Sequence, residues 1–131
     1  MTSTPEHDDI APTPEAAANG LATERTRRLD RIAAMRAAGV NPYPYRFDRT
    51  HTLGEIRVAH GHLEAGTETE TRVSVAGRIL LKRDQGKLIF CTIRDRATDI
   101  QLFISKSVVG DAEFDEINEL DLGDWVGATG L

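Results

Sequence analysis

From Arg72 onward the hydrophobic pattern of the chain acquires a period of two, and no other feature restricts its fold as strongly. Val73, Val75, Ile79 and Leu81 alternate with Ser74, Ala76, Arg78 and Lys82, which predicts a strand buried on one face with Gly77 in its middle. Asp84-Gln85-Gly86-Lys87 carries the residues of a hairpin turn. Beyond it, Ile89, Cys91 and Ile93 alternate with Leu88, Phe90, Thr92 and Arg94, and then Ile100, Leu102 and Ile104 with Gln101, Phe103 and Ser105. Asp111 is placed to cap a helix that buries Phe114, Ile117 and Leu120. Asp121-Leu122-Gly123-Asp124 then turns, and Trp125-Val126-Gly127-Ala128 opens another strand.

A long strand interrupted by glycine, two more strands, and a helix before strand four is the order of an OB-fold, a five-stranded Greek-key barrel. The fold expected is therefore mainly β with an N-terminal helix, and the last barrel strand is expected to be missing from this chain. Residues 1–22 contain Pro5, Pro12 and Pro14 but only Ile10 and Leu21 as large aliphatics, and are expected to be a disordered acidic tail. Residues 23–71 should hold a helix and an extended connector. Thr23 is the expected N-cap and Gly39 the stop, with Pro42 and Pro44 forcing an extended chain after it. A short helix is expected from Thr52 to His62, where Thr52 and Glu55 have capping-box spacing. The barrel domain should occupy 72–131.

Strand alternation also sorts the chemistry. With Ile89, Cys91 and Ile93 facing a core, Phe90 must face outward, and Gln101 and Phe103 must do so on the next strand. A ring to stack a base, an amide to read its edge and cations for phosphate are what single-stranded nucleic acid requires. Outward aromatics equally mark protein interfaces, so alternation alone leaves both readings open. Charge is segregated to match. The chain carries −5 overall, but residues 72–106 carry +5, 24–36 carry +3, and 107–131 carry −7. Arg83 falls on the inner face when counted from Arg78, so the nucleic-acid reading needs a bulge or bend around Gly77.

Several classes are excluded or disfavoured. No apolar run reaches the length of a membrane helix, the first residues show no basic stretch followed by an apolar one and so are not expected to be a secretory signal, and Cys91, the one cysteine, can form no intrachain disulfide. There is no phosphate-binding loop, no dinucleotide fingerprint and no nucleophile–histidine–acid set. His51, His60 and His62 lack partners at metal-binding spacing, so no catalytic residue and no metal site is expected.

"RLDRIAAMRAAGVNPYPYRFDRTHTLGEI" over 28–56 resembles the opening helix, Pro-Tyr-Pro connector and following segment of bacterial class II lysyl-tRNA synthetases. Residues 73–106 and 120–130 resemble the anticodon-binding domain of the same enzymes. The pattern Arg83-Asp84, Gly86 to Phe90, Arg94-Asp95 and Ile100-Gln101 is shared more loosely with aspartyl- and asparaginyl-tRNA synthetases, and the Pro-Tyr-Pro opening favours lysine. The resemblance implies that Phe90 stacks on the middle anticodon base, a uridine, and that Arg83 and Gln101 bond its edge. Arg78, Lys82 and Lys87 are implied as further RNA contacts. It also implies the anticodon loop of tRNA(Lys) as partner, and a cytoplasmic homodimeric parent that uses ATP and Mg²⁺ through a lysyl-adenylate in a catalytic domain outside this chain. No cofactor is expected in the chain itself. Its alternatives are an aspartyl- or asparaginyl-type anticodon domain and an OB-fold protein-interaction module. One departure from the family is Ala97-Thr98-Asp99, where Thr-Gly and a small or basic residue are usual; the turn is expected to run through Asp99.

Overall fold

A computed structural model describes residue 11 and residues 13–131, which divide into two compact units at Tyr45/Arg46. The first unit is dominated by helix α1 (Pro14–Ala37). It begins nine residues before the expected start, so residues 14–22 are helical and not disordered, while residues 1–10 and 12 of the expected tail lie outside the described residues. The reason is local. Thr13 caps the helix by accepting from Ala16 N at 3.3 Å, Pro14 takes the first turn and Glu15 the positive dipole end. The alanine run that follows has the highest intrinsic helix propensity of any residue type. Thr23, expected as the cap, instead donates its hydroxyl to the Asn19 carbonyl at 2.9 Å in mid-helix. Arg27 and Arg28 both bond the Glu24 carboxylate, at 2.7 and 2.9 Å, and hold its pKa down to about 2. The helix stops as expected, with Gly39 in the left-handed region (φ 76°) and Val40 N donating to Met35 O at 2.9 Å.

The second unit contains α2 (Leu53–His60), β1 (Val73–Asp84), β2 (Leu88–Asp95), β3 (Thr98–Ser105), α3 (Lys106–Val109), α4 (Asp111–Asn118) and β4 (Trp125–Gly130). The strands form one curled antiparallel sheet in the order β3-β2-β1-β4, so strand four returns to pair with strand one. These are OB-fold strands one to four in the expected order. The expected domain boundary near residue 70 is not where the units part, because α2 is built into the sheet's core. Leu53 is fully buried, its N–H donates to the Asp95 carboxylate at 2.9 Å, and Thr50 exchanges backbone and hydroxyl bonds with Ser74. The Thr52/Glu55 capping box is present.

Val75, Ile79, Ile89, Cys91, Ile93 and Phe114 complete the buried core, with Ile100, Leu102, Ile104, Ile117 and Leu120 packed against it, as the alternation requires. Burial raises the Cys91 thiol pKa above its ordinary value, against a smaller opposing effect of Lys82. Gly77 lies where β1 and β2 approach closely: a Cβ there would come 2.9 Å from the Arg94 carbonyl oxygen. The expected bulge exists, but it is centred on Leu80. Ile79 pairs with Ile93 and Leu81 with Thr92, which leaves Leu80 between them without a partner. Ile79 is held there by two backbone bonds to the turn before β4, with Asp124 O at 2.9 Å and Gly123 N at 2.8 Å.

The extra residue reverses the facing of everything after it. Leu81, expected inside, is 62% exposed, and Arg83 comes outward. Lys82 turns inward, where its ammonium donates to the carbonyls of Ile117, Asn118 and Leu120 at the C-terminal end of α4. That corrects its expected place among the RNA contacts. A cation there satisfies carbonyls that a helix end leaves without partners and complements the negative end of its dipole. Two smaller differences concern turns. Gly110, not Asp111, is the N-cap of α4, because α3 precedes it directly. The β2–β3 turn runs through Arg96 and Ala97, with Asp99 already in β3, and Arg96 has φ 47°.

Lys82→Met keeps the aliphatic stem and removes the ammonium, so it should destabilise the unit by about 1–3 kcal/mol in urea unfolding. An unchanged midpoint would show that the α4 carbonyls are satisfied without Lys82. Arg96→Gly relieves a left-handed backbone position and should raise stability by up to about 1 kcal/mol, read from the same transition.

Candidate nucleic-acid interface

The outward face of the sheet is organised as rows that run across the strands. In the first row Phe103, Phe90 and Arg83 are direct cross-strand partners on β3, β2 and β1. The Phe103 and Phe90 rings meet edge to face, 5.3 Å apart at 71°, and the Arg83 guanidinium lies over the Phe90 ring at 5.3 Å. In the next row Gln101 is paired with Thr92 and Thr92 with Leu81, so Gln101 lies diagonal to Phe90 on the same face. Of the three residues expected to read a base, the register therefore brings Arg83 beside Phe90 and sets Gln101 one step away. Gln101 is exposed and lines a shallow groove of about 390 Å³ with Ile56, Arg57, His60, Gly61 and Ile100.

A longer row crosses all four strands: Asp99, Arg94, Arg78 and Trp125 are successive partners from β3 to β4. Two arginines directly opposite each other repel. Each is supplied with its own counterweight. Arg94 is bonded by both of its ends to the Asp99 carboxylate, including Nη2 to Oδ2 at 2.9 Å, and Arg78 stacks over the Trp125 ring at 5.0 Å. The Asp99 backbone oxygen also accepts from Arg57 of α2, at 2.8 and 3.1 Å. Arg78, expected as an RNA contact, is thus on the outward face but in a different row from Phe90. Lys87 is exposed in the β1–β2 turn, beside Gly86 (φ 73°), whose N–H bonds the Asp84 side chain at 3.1 Å.

Trp125 and Arg94 were not among the expected site residues. The signal for Trp125 was present in the sequence, since Val126 and Ala128 turn inward and the tryptophan before them must turn out. Among the described residues no group of His, Cys, Asp and Glu is arranged to hold a metal ion, and no helix is long and apolar enough to cross a membrane. Hydrogen bonding to Arg94 holds the Asp99 carboxyl below its usual pKa. The stability this pair contributes is complete above the unfolded-state value of about 3.9 and disappears as pH falls through the lower folded value. Asp99→Asn should therefore flatten part of the acid-side decline of stability, measured by urea unfolding across that range, while an unaltered pH profile would leave the pair without energetic weight.

The family described as "OB-fold nucleic acid binding domain" matches residues 73–131, the segment that holds all four strands. The lysine–tRNA ligase of Mycobacterium tuberculosis is 46% identical over 101 residues, which are 76% of this chain and 20% of that protein. That of Thermosynechococcus vestitus is 40% identical over 111 residues (81% and 22%), and that of Enterococcus faecalis 39% over 105 (79% and 21%). The chain spans about a fifth of the length of these relatives. With its strand order, its outward aromatic and cationic rows and these relatives taken together, the chain belongs to the anticodon-binding OB-fold region of the lysine–tRNA ligase family.

Proposed function

We propose that this chain reads the anticodon loop of a lysine-accepting tRNA, and that the site consists of Arg83, Phe90 and Gln101. The observation that carries the reading is their common placement: one ring, one guanidinium and one primary amide on neighbouring positions of a single outward face. Phe90 offers a stacking surface that any base can use. Discrimination comes from the edges. Uracil presents two carbonyl acceptors and one N–H donor, so a guanidinium that donates and an amide that both donates and accepts are complementary to it. The Arg83 guanidinium already lies over Phe90, and a base arriving on the ring replaces it there and releases its N–H groups to a uracil carbonyl. Phe103 holds the Phe90 ring by its edge contact. Lys87, at the tip of the β1–β2 hairpin, serves the phosphates without regard to sequence.

For the protein of which this region forms part, the reading implies attachment of lysine to tRNA with ATP and Mg²⁺, by a cytoplasmic homodimer whose catalytic groups lie outside these residues. The chain's own task in that reaction is selection. A cognate loop is held and a non-cognate one is released before chemistry.

Phe90→Ala should weaken binding of a lysine tRNA anticodon stem-loop by about 1–3 kcal/mol. Gln101→Ala should weaken it chiefly for loops with a middle uridine, reducing the preference over cytidine, in which an amino donor replaces an acceptor. Lys87→Ala should weaken all loops alike and reduce the dependence of affinity on salt. Affinities and middle-base preferences left intact by both Phe90→Ala and Gln101→Ala would show that this face binds something other than the anticodon.

A further inference from the structure

Trp125 is the only tryptophan of the chain, and 67% of it is exposed where it opens β4, an edge strand of the sheet. A single exposed ring is unremarkable by itself, but this one stands in a row of cations. Its neighbours point to the kind of occupant. The Arg78 guanidinium lies over the ring at 5.0 Å, and Arg94 is the next residue in the same row. A cation beside an exposed ring is the pairing that serves a nucleotide, the ring taking the base and the cation the phosphate. The same pairing, Arg83 with Phe90, occurs in the first row.

The two pairs are too far apart to serve one nucleotide. Phe90 and Arg94 are four positions apart on β2, and Trp125 lies two strands over from that strand. At about 3.3 Å per residue and 4.8 Å per strand, the two rings are separated by about 16 Å. Stacked neighbouring bases are only about 3.4 Å apart. The two rings must therefore hold bases that are not adjacent, on a strand drawn out across the sheet.

We propose that Trp125 and Arg78 form a second nucleotide-binding site, in which a base of the same single-stranded RNA stacks on the tryptophan while Arg78 meets the phosphate next to it. The site extends the reading of this face as an anticodon binder and rests on it. One short strand is thereby held at both ends of the sheet face, with Gln101, Thr92 and Leu81 in the row between.

The emission of the single tryptophan tests the proposal directly, with the 131-residue chain and fluorescently labelled RNA followed in the same titration. Saturation with the lysine tRNA anticodon stem-loop, or with an oligouridylate of about eight nucleotides, is expected to quench Trp125. An oligouridylate of about two nucleotides, which reaches one ring only, should quench it far less at equal occupancy. Trp125→Ala should lower affinity for the longer RNAs by about 5- to 100-fold, and Trp125→Phe, which keeps a ring, should restore most of the loss. In Phe90→Ala the affinity falls, yet the quench at saturation persists, because Trp125 still takes its base. RNA that binds with the tryptophan emission unchanged would overturn the second site and leave the Phe90 site standing. RNA that does not bind at all would overturn both. A tryptophan signal that follows protein concentration without RNA would show that the ring is covered by a second copy of the chain, and would also overturn the proposal.

Discussion

The unpaired residue Leu80 sets the chemistry of this domain more than any side chain at the site does. A strand has only two faces, so one inserted residue exchanges the roles of every position beyond it. Before the insertion Val75 and Ile79 are core residues and Arg78 looks outward; after it Lys82 turns in and Arg83 turns out. Without that reversal Arg83 would be buried without a partner and Lys82 would be exposed beside Phe90. The insertion is also where β1 changes neighbours. Up to Arg78 it is paired with β4, at Ile79 it bonds the turn at Gly123 and Asp124, and beyond Leu81 it is paired with β2 alone. Curvature of the sheet and the orientation of Lys82 and Arg83 therefore have a common cause.

Positive charge on a sheet face conflicts with stability, since side chains on adjacent strands approach within about 5 Å. The conflict is resolved here by giving each arginine a different neighbour. Arg83 lies on a phenylalanine, Arg78 on a tryptophan, and Arg94 on an aspartate that Arg57 also grips through its backbone. The two arginines on rings remain able to exchange their partner for a ligand. Arg94, bound by two charge-assisted bonds, is fixed in place, and it belongs to the framework. A cation of the face is thus available or committed according to whether a ring or a carboxylate lies beside it.

Much of this was legible in the sequence. Ile89, Cys91, Ile93 and their counterparts on β3 stand where period-two alternation puts them, and the strand order follows from turns and one helix. Phe90, Gln101 and Phe103 were sent outward correctly by the same rule. The rule cannot place an insertion, because a bulge is fixed by bonds to distant segments, here from the turn at Gly123 and Asp124, which are over forty residues away. That is why Lys82 and Leu81 were assigned the wrong faces, and why Arg83 needed a resemblance to be recognised. The start of α1 was missed for a different reason. Three prolines and four acids suggested an unstructured tail, yet Thr13, Pro14 and the alanines after them satisfy local helix rules that overall composition conceals.

The buried thiol of Cys91 gives this domain an internal gauge. It lies at the centre of β2, 2% exposed, with its ionisation suppressed by the surrounding apolar side chains. A thiol-specific reagent cannot attack it until the strand parts from both neighbours, so its reaction rate measures how often the sheet opens. RNA held on the outer surface of β2, as proposed above, would act on the same strand from the other side. The thiol should consequently sense the grip without touching the ligand, reporting in a rate of alkylation how far occupancy of one face slows the breathing of the other.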